Sequence, residues 1–213
     1  MNIKESKRLL NLRVYEDTLY IEGKTYIAGV DEVGRGALAG PIVSAAVILK
    51  KDIIGLEGVN DSKKISATNR KKIFDNIILN CVSFSTAKLS SSGIDLISLG
   101  RANILVMQKA IRFLSVKPDI VLSDAFKIDC EVEVIPLIKG DMISISIAAA
   151  SIIAKITRDK IMENFDKIYP LYGFRKNKGY GTALHLANLK KYGCCPIHRK
   201  SFNNVKNFQE KVF

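Results

Sequence analysis

The stretch from residue 25 to residue 49, TYIAGVDEVGRGALAGPIVSAAVIL, constrains the fold more than any other. Two apolar runs, 26–30 and 42–49, flank two adjacent acids, Asp31 and Glu32, and a glycine-rich turn, Gly34-Arg35-Gly36. Apolar runs bounded by Gly and Pro predict buried strands, so the order is strand, acidic loop, strand. Two acids at the mouth of a buried strand are costly unless something positive meets them. A pair of solvated loop acids is the plain alternative. The flanking strands favour a functional site, as do Gly34, Gly36 and Gly40, which let backbone approach a ligand closely. A dinucleotide-binding loop does not fit. Gly40 leads into Pro41 and a β-branched run where that fold needs a helix, and two acids would repel the phosphates.

The remaining pattern is mixed. An amphipathic helix is predicted over 3–19, with Leu9, Leu10, Val14 and Leu19 on its apolar side. A polar loop holding Lys63 and Lys64 follows the second strand, and Ser66 is placed to cap a helix to about 79. Residues 81–89 read as a strand. Ile97, Ile104, Met107 and Ile111 recur at helical spacing within 94–114, with Asp95 expected as a cap. Residues 120–122 form a short buried strand ending at Asp124. A further strand over 132–138 ends at Lys139-Gly140-Asp141. A helix over 145–165, rich in alanine for close packing, then begins where its dipole favours the negative charge of Asp141; a purely structural capping role for Asp141 stays open. A helix ending near 192 closes the pattern.

The net charge of +12 suits an anionic partner, nucleic acid before an acidic membrane. Residues 155–213 hold 13 Lys/Arg against 4 Asp/Glu, a net +9, so most of the excess lies in the tail. That concentration favours a binding face. Cys81, Cys130, Cys194 and Cys195 show no CxxC spacing, which argues for reduced thiols in a cytoplasmic protein. The charged N-terminus is unlike a signal peptide, and no apolar run approaches a membrane span. His185 and His198 have no partner at metal spacing and read as polar surface or phosphate-side residues.

Asp31, Glu32, Asp124 and Asp141 all stand at strand ends or before a helix. Carboxylates gathered at one sheet edge cannot all stay ionised unaided. Hard divalent cations, Mg²⁺ or Mn²⁺, resolve this with oxygen ligands. Two such ions beside a basic surface suit phosphodiester hydrolysis. No Ser-His or Cys-His pair is legible, which disfavours a covalent intermediate. Residue chemistry by itself reaches a metal-dependent enzyme acting on nucleic acid. A non-catalytic nucleic-acid-binding protein and a general two-metal DNA nuclease are the alternatives.

VDEVGRG followed by LAGP resembles the signature of ribonuclease HII, the type 2 ribonuclease H family. The likeness extends through DSKK, KGD…S..AAASI.AK.TRD, GYGT and HRKSF, nearly the whole chain. Ser98 departs from the family's usual Asn, and Ala125 from its usual Gly. The resemblance implies an α/β, RNase H-like fold: a mixed central β-sheet flanked by helices, with a helical C-terminal part. A catalytic core over 1–165 and a basic segment over 166–213 completing the substrate face are expected. It further implies an endoribonuclease that cuts the RNA strand of RNA–DNA hybrids. Incision 5′ to ribonucleotides embedded in duplex DNA, leaving 3′-hydroxyl and 5′-phosphate ends, is implied as well. Asp31, Glu32, Asp124 and Asp141 would hold the ions. Gly34, Arg35 and Gly36 would surround the 2′-hydroxyl, and Tyr180 would stack on the next sugar. Lys63, Lys64, Arg199 and Lys200 are further candidate substrate contacts. Gln209-Glu210-Lys211-Val212-Phe213 weakly resembles a sliding-clamp peptide.

Overall fold

The computed structural model describes residues 3–52, 56–59 and 67–208. Lys63, Lys64, Ser66 and the clamp-like 209–213 lie outside them. The apolar runs of the opening stretch form β1 (Ile27–Val33) and β2 (Ile42–Leu49), an antiparallel pair. β3 (Cys81–Leu89) pairs antiparallel to β2. On the other side β4 (Ile120–Asp124) runs parallel to β1, and β5 (Val134–Leu137) parallel to β4. The sheet order is β3-β2-β1-β4-β5. Val30 faces Ser123 as the last pair of the β1–β4 ladder, so the next residues, Asp31 and Asp124, stand side by side where the two strands part, Asp31 still paired with Ala45 of β2 and Asp124 with Leu137 of β5.

Helices cover both faces. α3 (Ala67–Leu79) and the 24-residue α6 (Ile145–Ile168) pack on one. α4 (Ser91–Ile97) and α5 (Leu99–Arg112) pack on the other. Alternation along β1 decides which residue meets which helix. Ile27 packs with Ile147 of α6, whereas Ala28 and Val30 pack with Met107 and Ala110 of α5. α6 can lie this close because Gly29 has no side chain. A Cβ there would stand 2.1 Å from the Ser146 carbonyl carbon.

Two expected helices are each split. The N-terminal one breaks at Arg13 into α1 (Ile3–Leu12) and α2 (Val14–Ile21). Its apolar residues serve two targets: Leu12 joins Ile73 and Ile77, while Leu19 joins Ile27 and Ile120. The helix expected over 94–114 begins earlier, is capped by Ser90, and breaks at Ser98, whose φ is +75°. Asp95 is not a cap. It accepts from the amides of Lys200 and Ser201, each at 2.9 Å, and from the Ser201 hydroxyl, tying α4 to the chain's end. Among the described residues no helix is long and apolar enough to cross a membrane, and all four cysteines are free thiols.

The last segment carries α7 (Phe174–Asn177), α8 (Ala183–Tyr192) and α9 (Asn203–Lys206). It packs on Leu38, Ala39 and Met162 around Tyr172 and Phe174. His185 and His198 belong to this interior, correcting the expectation of surface positions: both are fully buried, Nε2 to Nε2 at 3.0 Å. The Tyr180 carbonyl can only accept, so His185 donates to it through Nδ1 at 2.9 Å. His185 Nε2 then accepts from His198, whose Nδ1 accepts the Cys195 amide at 2.9 Å. Both rings are neutral in this chain of bonds. Burial, then the neighbouring His185, pushes His198 down to about 4.

Candidate active site

A cleft of about 560 Å³ opens at the ends of β1 and β4. Asp31, Glu32, Asp124 and Asp141 line it, with Gly34, Arg35, Gly36 and Tyr180. β1 delivers the adjacent acids to opposite faces of the sheet. Asp31 turns to α6, where Ser151 hydrogen-bonds it, and its own Oδ1 accepts the Glu32 amide at 2.7 Å. Glu32 turns to α5, where the fully buried Asn103 lies. Glu32 Oε2 and Asn103 Oδ1 are both buried without a hydrogen-bond partner. Asp124 accepts the Gly140 amide at 2.8 Å, which joins the end of β4 to the turn carrying Asp141. Ala125, the position where Gly is usual, has φ +59° and holds the left-handed conformation the family's glycine would adopt freely.

The electrostatics follow from burial. Asp31 is pushed well above the usual carboxylate range, first by desolvation, then by Glu32 and Asp124. Glu32 is raised to about 7 by burial; Arg35 opposes this and Asp124 adds to it. The Arg35 Nε stands 3.8 Å from Glu32 Oε1, and its guanidinium lies over the Phe126 ring.

This donor set fits a hard divalent cation. The candidate ligand atoms are carboxylate oxygens, one of them orphaned, and their mutual repulsion is what a cation would relieve. Among the described residues no three His, Cys, Asp or Glu side chains already converge at coordinating distance. The acids surround the cleft rather than a point.

The basic candidates separate. Arg199, expected to meet substrate, is fully buried and cannot do so. Its guanidinium binds the carbonyls of Gly34, Arg35 and Gly40 from beneath the glycine turn. Lys200 is exposed beside a separate hollow lined by Asp95, Cys194 and Cys195. Three side chains that the residue patterns did not single out border the site: Ser151 and Lys155 in the cleft and Arg158 behind it. Their signal was available, since spacings of four and three residues put all three on one face of α6. Arg158 donates to the carbonyls of Ala39, Pro41 and Lys178 and lies under the Tyr180 ring, 5.4 Å from its centroid.

A mixed sheet that brings carboxylates from β1, β4 and the turn before α6 to one cleft defines an RNase H-like hydrolase. Comparison with solved structures agrees on the fold. Ribonuclease H2 from Pyrococcus horikoshii superposes with a TM-score of 0.75 at 28% identity, covering 87% of this chain and 97% of that one. Ribonuclease HII from Archaeoglobus fulgidus, solved in complex with PCNA, gives 0.71 at 25% identity, covering 84% and 95%. The family model described as Ribonuclease HII matches residues 28–205. The ribonuclease HII of Acetivibrio thermocellus is 48% identical over 206 residues, 96% of this chain and 79% of its own length. That of Enterococcus faecalis is also 48% identical, over 96% and 80%. The chain belongs to the ribonuclease HII family, and is an enzyme of the metal-dependent ribonuclease H class.

Proposed function

We propose that this chain incises duplex DNA on the 5′ side of embedded ribonucleotides, and cuts the RNA strand of RNA–DNA hybrids, leaving 3′-hydroxyl and 5′-phosphate ends. The observation that carries this reading is the shared cleft: four acids face the Gly34-Arg35-Gly36 turn and Tyr180 across one opening. Asp31, Glu32, Asp124 and Asp141 would hold two Mg²⁺ or Mn²⁺ ions. Bound there, such ions supply an activated water and stabilise the leaving oxygen. Gly36, where a Cβ would meet nothing within 4 Å, leaves the turn's backbone open to the sugar, suited to a 2′-hydroxyl that both donates and accepts, while the space beside Gly34 is taken by Arg158. Tyr180, held from below by Arg158 and through its carbonyl by His185, offers its ring to the following sugar. A deoxyribose fits such a ring better than a ribose, which favours an RNA–DNA junction. Lys200, and Lys63 and Lys64 outside the described residues, are proposed phosphate contacts.

The test is incubation with Mg²⁺ and a labelled duplex carrying one ribonucleotide, with the cut mapped. Parallel reactions use a continuous hybrid and an all-DNA duplex. Cleavage of the all-DNA duplex at a comparable rate would overturn the reading in favour of a general nuclease. Binding without product would favour a non-catalytic role. A sliding clamp is a further proposed partner, supported by the Archaeoglobus fulgidus complex with PCNA. Removal of 209–213 should then abolish retention on immobilised clamp.

A further inference from the structure

Arg158 and Arg199 are both fully buried, and among the described residues neither forms an ion pair. A buried guanidinium without a carboxylate is expensive, so what it does hold is informative. Arg199 Nη2 donates to the Gly34 carbonyl at 2.7 Å and Nη1 to the Arg35 carbonyl at 2.8 Å. Nε and Nη2 also reach the Gly40 carbonyl, at 3.1 and 3.0 Å. The arginine is itself fixed: its amide donates to Leu38 O, and Asp95 holds the next two amides.

This arrangement determines where the turn's amides point. A trans peptide is planar, with C=O and N–H on opposite sides, and no cis bond occurs among the described residues. The Gly34 carbonyl shares its plane with the Arg35 N–H, and the Arg35 carbonyl with the Gly36 N–H. Both oxygens are drawn onto Arg199, so both N–H groups point away from it, and the turn that carries them lines the cleft. Neither donates to a backbone acceptor among the described residues. Adjacent outward amides form a concavity for an electron-rich oxygen. The planar fork reaches the three carbonyls from three separate nitrogens in a fixed geometry, whereas a lysine ammonium has its three donors on one freely rotating nitrogen.

We infer that Arg199 is a positioning residue for ribose recognition: by fixing the Gly34 and Arg35 carbonyls inward, it aims the Arg35 and Gly36 amides at a 2′-oxygen acting as acceptor. This rests on the proposal that a ribonucleotide is read in this cleft. Its test is Arg199→Lys, with affinity measured for a single-ribonucleotide duplex and the all-DNA duplex in Ca²⁺, a gel confirming that neither is cut. Wild type should prefer the ribonucleotide. In Arg199→Lys the preference should fall about tenfold, the scale of one hydrogen bond, with all-DNA affinity within about twofold. A preserved preference would overturn the inference, as would equal weakening on both duplexes. A wild-type protein without preference would overturn the ribonucleotide reading itself and this inference with it. Should Arg199→Lys not fold, amide exchange in wild type decides. The Arg35 and Gly36 amides should exchange fast in the free protein and slow only with the ribonucleotide duplex; slow exchange in the free protein would overturn the inference.

Discussion

Glu32→Gln should abolish cleavage and yet stabilise the metal-free protein, in a way that depends on pH. The Glu32 side chain is 9% exposed, its Oε2 has no partner, and burial raises it from 4.5 to about 7. A carboxyl raised on folding costs stability when ionised. The cost is absent below the unfolded value, grows between 4.5 and about 7, and is complete above that. Such a shift corresponds to about 3 kcal/mol at pH 8, at 1.36 kcal/mol per unit. Glutamine removes the charge but leaves a buried amide to satisfy, which takes back roughly 1 kcal/mol. The net gain of about 2 kcal/mol should raise Tm by about 4–8 °C for a chain of this size. Thermal melts in EDTA at pH 8 and pH 5 check this. The gain should be largest at pH 8 and nearly vanish at pH 5, where wild-type Glu32 is already protonated. Saturating Mg²⁺ at pH 8 should stabilise wild type by binding the native state and narrow the gap. An unchanged or lower Tm at pH 8, or an equal gain at both pH values, would refute the argument from burial.

Cleavage should stop in EDTA. Asp31→Asn and Asp124→Asn should each be inactive with duplex binding and fold retained, while Asp141→Asn loses less; rate and gel-shift measurements decide. Gly29→Ala forces a Cβ against Ser146 backbone and should cost about 3 kcal/mol or more in a denaturant titration. A Cβ at Gly36 meets nothing within 4 Å. Gly36→Ala should therefore keep the wild-type midpoint and still lose ribonucleotide incision. Ala125→Gly should relieve the left-handed strain at φ +59° and, after the entropy glycine adds to the unfolded chain, stabilise by up to about 1 kcal/mol. Tyr180→Ala should lower incision at a single ribonucleotide far more than it lowers Mn²⁺ affinity, read by rates beside calorimetry.

The five strands and the long α6 were legible because period-2 and period-3.6 patterns report directly which side of an element is apolar. The acids were legible too, since a carboxylate closing a buried run has few inexpensive explanations. Periodicity describes one element at a time, and several features belong to relations between elements. The break at Arg13 lets each half-helix pack on a different part of the core, and the break at Ser98 lets α4 and α5 share the cluster around Ile42 while α5 alone reaches the one around Val30. Asp95 became an anchor for Lys200 and Ser201 only when the chain's end folded beside α4. Arg199 looked like surface charge, as arginines in a basic tail usually are. Its burial depends on carbonyls more than 150 residues away converging on one guanidinium. His185 and His198 likewise went inside because each satisfies the other and the chain supplies a carbonyl and an amide at the two ends. Sequence determined which groups could do the chemistry and at which strand ends they stand. Tertiary structure decided which charged groups face the cleft and which hold its walls, because a polar group's burial is set by partners that only the folded chain brings within hydrogen-bonding distance.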